Sequence, residues 1–192
     1  MSYKGIIIGG SAGSFQVVTK ILASLPANFQ YPVFLCLHRL KHVRSGFIEA
    51  LEIKSKLPIV EPEDKTIIKK GVVYLAPSNY HMYIDYGQRF ALSTEPSVNY
   101  SRPSIDLSFF SASTSYREKL VGIILSGANK DGAKGIKSVK RLGGLTIVQD
   151  PKEAQIKTMP NSALDLIEPD YVLTTDKISK LLNQLNELNE KL

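Results

Sequence analysis

The sequence is poor in the residues on which several protein classes depend. One cysteine among 192 residues, Cys36, rules out an internal disulfide framework. Three scattered histidines and that single thiol offer no metal-ligand spacing. No stretch approaches the roughly 20 apolar residues that a membrane-spanning helix needs. The N-terminus, three isoleucines after Met-Ser-Tyr-Lys-Gly, is too short in apolar length for a secretory signal. These absences lead us to expect a soluble, cytoplasmic protein without membrane insertion. Acidic residues are in deficit, 18 against 24 basic ones, which gives a formal charge of +6. The lysines are nonetheless spread along the chain and no aromatic residues interleave with a basic cluster, so the footprint of a nucleic-acid binder is missing. A mildly basic surface suits an acidic protein partner instead.

What is present is an ordinary globular composition, 43% hydrophobic and 22% charged, at a length that fits one domain with a sizeable core. Apolar runs of strand length (5–8, 33–37, 72–76, 121–125 and 145–148) alternate with stretches whose apolar residues recur every three or four positions (15–25, 47–57, 105–117 and 133–142). That alternation predicts an α/β fold with a doubly wound, mostly parallel sheet. Tyr80, Met82, Ile84, Phe90 and Leu92 alternate around Gly87, which predicts an antiparallel hairpin attached to the sheet. The tail, with Ile178, Leu181, Leu182, Leu185, Leu188 and Leu192, predicts an amphipathic helix packed on the same domain. Two short heptads are too few to establish a coiled coil there.

In open α/β sheets ligands collect beyond the carboxyl ends of the strands. Ser11, His38 and Asp131 follow the first, second and fourth apolar runs, and a serine nucleophile needs a base that a third group orients. Gly9-Gly10-Ser11-Ala12-Gly13 matches the G-x-S-x-G elbow between a strand and a helix, where the following amide, from Ala12, helps bind an oxyanion. Two alternatives stand beside this. Ser11 as a helix cap is one. A dinucleotide-binding turn is the other, weakened by the missing last glycine and by the lack of any acidic residue between Gly13 and Glu49. His38 equally reads as a strand-end residue, and Asp131 as the cap of the helix that follows it. The order is not that of an α/β-hydrolase, whose histidine comes last, because no histidine lies beyond His81. Cys36 lies mid-strand without a basic neighbour and reads as a buried, inert thiol. Residues 127–134 lack the Gly-Lys-Ser/Thr ending of a phosphate loop.

Six blocks, in order, resemble the catalytic domain of the chemotaxis methylesterases (CheB). They are Ile8-Gly9-Gly10-Ser11-Ala12-Gly13, Val33 to His38, Gly71 to Met82, Arg102-Pro103-Ser104-Ile105-Asp106, Leu125 to Gly135, and Gln149-Asp150 with Met159-Pro160. The likeness runs from about Gly5 to Thr175, so residues 1–176 read as such a domain and 177–192 as its terminal helix. The resemblance implies Ser11 as nucleophile, His38 as general base and Asp131 as its orienting carboxylate. It implies oxyanion or substrate contacts at Ala12, Ala128 and Arg102; a salt bridge at a helix start is the ordinary alternative for Arg102. The implied reaction is hydrolysis of glutamate methyl esters on a methylated chemoreceptor or other signalling protein, with deamidation of glutamine as a second activity. No cofactor is required.

Departures from the family pattern accompany the match. Ser14 stands for a glycine, Leu40 for a proline two residues after the histidine, and Ala128-Asn129 for Met-Gly. Family members usually carry an N-terminal receiver domain, and a chain beginning at the catalytic strand is expected to lack that switch. The altered Ala128-Asn129 loop keeps two other functions in view: a catalytically silent receptor-binding module and a small-molecule carboxylesterase.

Overall fold

The structure, a computed structural model, describes residues 3–38 and 46–190; Leu40 and Leu192 lie outside them. Seven parallel strands form one sheet: β1 (Gly5–Gly10), β2 (Val33–Leu37), β3 (Ile59–Val60), β4 (Val73–Leu75), β7 (Leu120–Ile124), β8 (Leu145–Gln149) and β9 (Tyr171–Leu173). Their order is β3-β4-β2-β1-β7-β8-β9. On one side the chain steps from β1 to β2, goes out to the edge strand β3 and returns to β4 between them; on the other it winds outward from β7 to β9. The reversal therefore falls between β1 and β7, the place where open sheets of this kind leave a crevice.

Side chains of successive strand residues point to opposite faces, so each strand feeds two cores. Ile6 and Ile8 of β1 pack with Val18, Ile21 and Leu22 of α1 (Phe15–Ser24) and with Ile178 and Leu182 of α6 (Thr175–Glu190). Ile7 joins the opposite core, with Ile105 and Phe109 of α3 (Ile105–Tyr116), Ile136 and Val139 of α4 (Ala133–Arg141), and Met159 of α5 (Thr158–Leu164). A side chain at Gly9 would lie 2.5 Å from the Ile105 side chain, so this position lets α3 approach the end of β1 closely.

Two sequence expectations shift. The helix expected over 47–57 is the shorter α2 (Phe47–Glu52). Beyond it the Ser55 hydroxyl accepts from the Leu57 amide and donates to the Leu57 carbonyl, a local bonding pattern that competes with the helix. The hairpin, β5 (His81–Ile84) and β6 (Phe90–Ser93), forms its own two-stranded sheet. It attaches by packing on α3, where Ser108 and Ser115 donate to the carbonyls of Met82 and Ile84 and Ser111 accepts from the Ile84 amide. Serine hydroxyls thus meet the backbone groups that a neighbouring strand would otherwise pair.

Candidate active site

β1 runs into a tight turn at Ser11-Ala12-Gly13-Ser14. The Ser14 amide donates to the Ser11 carbonyl at 3.0 Å, and Gly13 has φ +82°, the left-handed value a type II turn needs at its third residue. A side chain at Gly13 would also come within 2.7 Å of Ser126 Oγ. Ser14 fits its glycine-like place by donating its buried hydroxyl to the Ser11 carbonyl at 2.6 Å. The Ser11 amide donates to the Ser126 carbonyl at 2.9 Å, tying the turn to the loop after β7. Among the described residues the half-buried Ser11 hydroxyl makes no hydrogen bond.

His38 follows β2, one strand away, and its amide donates to the Gly10 carbonyl. Its Nε2 lies 2.8 Å from Asp131 Oδ2. Asp131 is wholly buried and accepts four further bonds: from Asn99 Nδ2 (3.0 Å), Ser104 Oγ (3.0 Å) and the amides of Ile105 (2.7 Å) and Asp106 (3.2 Å). Those two amides open α3. Asp131 therefore caps α3, not the helix α4 that follows it, whose cap position is Gly132. In return Asp106, in the first turn of α3, accepts the amides of Gly132 (2.9 Å) and Gly135 (2.7 Å) at the start of α4. The two helices cap each other with exchanged carboxylates.

The electrostatics follow from that exchange. Burial works to raise the Asp131 carboxyl, but the bonds from His38, Asn99 and Ile105 outweigh it and hold the group below the ordinary carboxylate range. Burial pushes the Asp106 carboxyl up, against the pull of the Gly135 amide, and the charge of Asp131 pushes the same way. An ionised Asp131 makes His38 Nε2 the protonated nitrogen, so this hydrogen-bond network assigns the free lone pair to Nδ1. Nδ1 faces the Ser101 hydroxyl at 3.4 Å. The structure thus joins His38 to Asp131 directly, while Ser11 stands at the neighbouring strand end without a hydrogen bond to the imidazole among the described residues.

Asn99 and Ser101 belong to a segment that the sequence reading passed over. Val98 and Ser101 exchange backbone hydrogen bonds of 3.1 and 2.9 Å around Asn99 (φ +51°) and Tyr100 (φ +62°), a two-residue turn of type I′. Asn99 at the first central position is a signal for this turn, but tyrosine in the usual glycine place conceals it. The single Asn99 amide group reaches both Asp131 and, at 3.1 Å, Asp106 Oδ2. Replacing Asn99 by glycine, which suits the turn, is expected to cost about 1–3 kcal/mol through the two lost charge-assisted bonds. Denaturant unfolding checks this, and an unchanged midpoint would remove Asn99 from the network.

Arg102 continues from the turn. Its Nε and Nη2 donate to Asn79 Oδ1 at 3.1 and 2.7 Å, and Nη1 donates to the carbonyls of Thr94 and Glu95. The guanidinium, a candidate substrate contact from the sequence, is engaged with its own chain and braces the turn. Buried His81 accepts the Ser104 amide at Nδ1 (3.2 Å) and donates from Nε2 to the Pro96 carbonyl (3.1 Å), fastening the hairpin to the start of α3.

Ala12 and Ala128 are both exposed, and among the described residues neither amide has an acceptor. The loop bearing Ala128 is fixed on both sides. Gly127 donates to the Ile156 carbonyl and accepts from the Met159 amide, and Asn129 Oδ1 accepts the Asp131 amide at 3.1 Å. The asparagine thus closes its own side-chain turn where the family pattern has glycine. Cys36 is buried, and burial pushes its thiol far up, away from nucleophilic use. Among the described residues no group of His, Cys, Asp or Glu side chains could hold a metal ion.

Comparison with known proteins bears directly on this arrangement. The family profile described as CheB methylesterase matches residues 6–182. A Leptospira interrogans protein carrying the provisional name protein-glutamate methylesterase/protein-glutamine glutaminase is 43% identical over 98% of this chain and 98% of its own length. A Clostridium acetobutylicum protein-glutamate methylesterase/protein-glutamine glutaminase is 32% identical over 93% of this chain, which spans 52% of that longer protein. The crystal structure of the Thermotoga maritima CheB methylesterase catalytic domain superposes with a TM-score of 0.90, at 32% identity, over 96% of this chain and 100% of that one. The chain belongs to the CheB methylesterase family.

Proposed function

We propose that this chain is a serine esterase that hydrolyses glutamate methyl esters on a chemoreceptor or similar signalling protein, and deamidates glutamine at such sites. The observation that carries the reading is the buried, five-fold bonded Asp131 holding His38 beside a strand-end serine turn. The names of the related proteins favour the same chemistry.

Ser11 Oγ attacks the ester carbonyl while His38 Nδ1 takes its proton. The negative oxygen that forms is met by the unengaged amides of Ala12 and Ala128. Collapse breaks the bond to the methoxy oxygen, which receives the proton from His38 and leaves as methanol. Water, deprotonated by the same nitrogen, then splits the acyl-enzyme into glutamate and free Ser11. Asp131 stays ionised throughout and stabilises the imidazolium. To reach Nδ1 the Ser11 side chain displaces the Ser101 hydroxyl, a tightening that catalytic contacts commonly undergo when substrate binds.

Mass spectrometry of a methylated chemoreceptor fragment incubated with the protein tests the reading. Loss of methyl groups with release of methanol is the expected result. An unchanged fragment alongside hydrolysis of small esters would move the function to a small-molecule carboxylesterase. No turnover of either, with binding retained, would move it to a silent receptor-binding module.

A further inference from the structure

Tyr100 is the most exposed large hydrophobic residue on the described surface, at 103% relative exposure. Its backbone lies in the left-handed region (φ +62°), where a bulky residue is an outlier and glycine would sit without strain. Yet the turn is held firmly from both sides. Asn99 bonds to Asp131 and Asp106, the Ser101 hydroxyl faces His38, and Arg102 is tied to Asn79, Thr94 and Glu95. A strained residue held by its neighbours, with no packing in return, is a pattern that clusters at functional sites. The Tyr100 Cα is one residue, about 3.8 Å, from that of the serine that faces the histidine. The exposed residues at the two unengaged amides, Ala12 and Ala128, have side chains too small to grip anything.

We infer that Tyr100 is the residue that discriminates protein substrates: its ring lies against the polypeptide segment carrying the esterified glutamate. This rests on the esterase reading above. A flat, two-torsion aromatic offers a large contact area at little entropic cost. A small ester, having no flanking segment, makes no such contact.

The test compares wild type, Tyr100→Gly and Tyr100→Phe on two substrates: 4-nitrophenyl acetate and a methylated cytoplasmic fragment of a chemoreceptor. Tyr100→Gly is expected to raise KM for the fragment about tenfold or more, the scale for an interface aromatic. Its kcat, its small-ester rate and its resistance to unfolding should not fall more than about twofold, since glycine suits the turn. Tyr100→Phe should behave as wild type. An unchanged KM overturns the inference, as does an equal loss on both substrates, which would mean a distorted catalytic centre. Affinity for the fragment, measured in a Ser11→Ala background with and without Tyr100→Gly, separates this inference from the esterase reading. Weakened binding alongside a wild type that does not demethylate leaves Tyr100 in place and sinks the reaction. Equal binding overturns the role of Tyr100 whatever the turnover.

Discussion

Replacing Ser11 by alanine is expected to lower kcat for methyl-ester hydrolysis at least about 10⁴-fold while unfolding free energy stays within about 0.5 kcal/mol of wild type. Both halves follow from the geometry. The side chain makes no hydrogen bond among the described residues, and the turn is held by backbone groups: the Ser11 amide on the Ser126 carbonyl and the Ser14 amide and hydroxyl on the Ser11 carbonyl. Removing one oxygen should therefore cost the fold almost nothing and the reaction the nucleophile proposed for it. Ser101→Ala is the necessary companion, because the Ser101 hydroxyl is the one at 3.4 Å from His38 Nδ1. That variant should keep at least about a tenth of the rate, since it loses only a contact that the reaction displaces. Stopped-flow or methanol-release kinetics decide between them. The reverse pattern, with Ser101→Ala inactive and Ser11→Ala active, would move the nucleophile into the turn and leave the Ala12 amide without a role.

Much of this architecture was readable in the order of residues. The strand 33–37 is found at those bounds because five consecutive apolar residues feed both faces of a central strand. That Ser11, His38 and Asp131 lie at strand ends on one edge of the sheet, with His38 bonded to Asp131, was legible because each follows an apolar run. Edge elements were not: β3 and β9 have two and three residues, too few for any period to register. The supports of Asp131 were hidden for another reason. Beyond His38, its four other donors come from residues 99–106, remote in sequence, and the packing of α3 on α4 brings them to the carboxylate. Local sequence correctly marks Asp131 as a helix-capping type; which helix it caps is a tertiary fact.

That double duty sets the largest combined effect. Asp131→Asn should lower turnover about 10⁴-fold, because an amide nitrogen in place of one oxygen no longer holds His38 with its proton on Nε2. It should also destabilise the fold by about 3–5 kcal/mol, because a new donor is forced among five donors, two of them the opening amides of α3. The pH dependence carries a defined sign. The Asp131 carboxyl lies below its unfolded value of about 3.9, so its contribution is present above about pH 4 and lost as pH falls through the folded value. Asp106, pushed up, acts oppositely: its contribution is present below the unfolded value and lost as pH rises through the folded one, so it offsets part of the gain. The stability gap between wild type and Asp131→Asn should therefore be widest near neutrality and narrow in acid. Urea denaturation at pH 7 and at pH 3 measures that gap directly. A gap of equal size at both would mean that Asp131 acts through shape alone, and that its charge neither caps α3 nor orients His38.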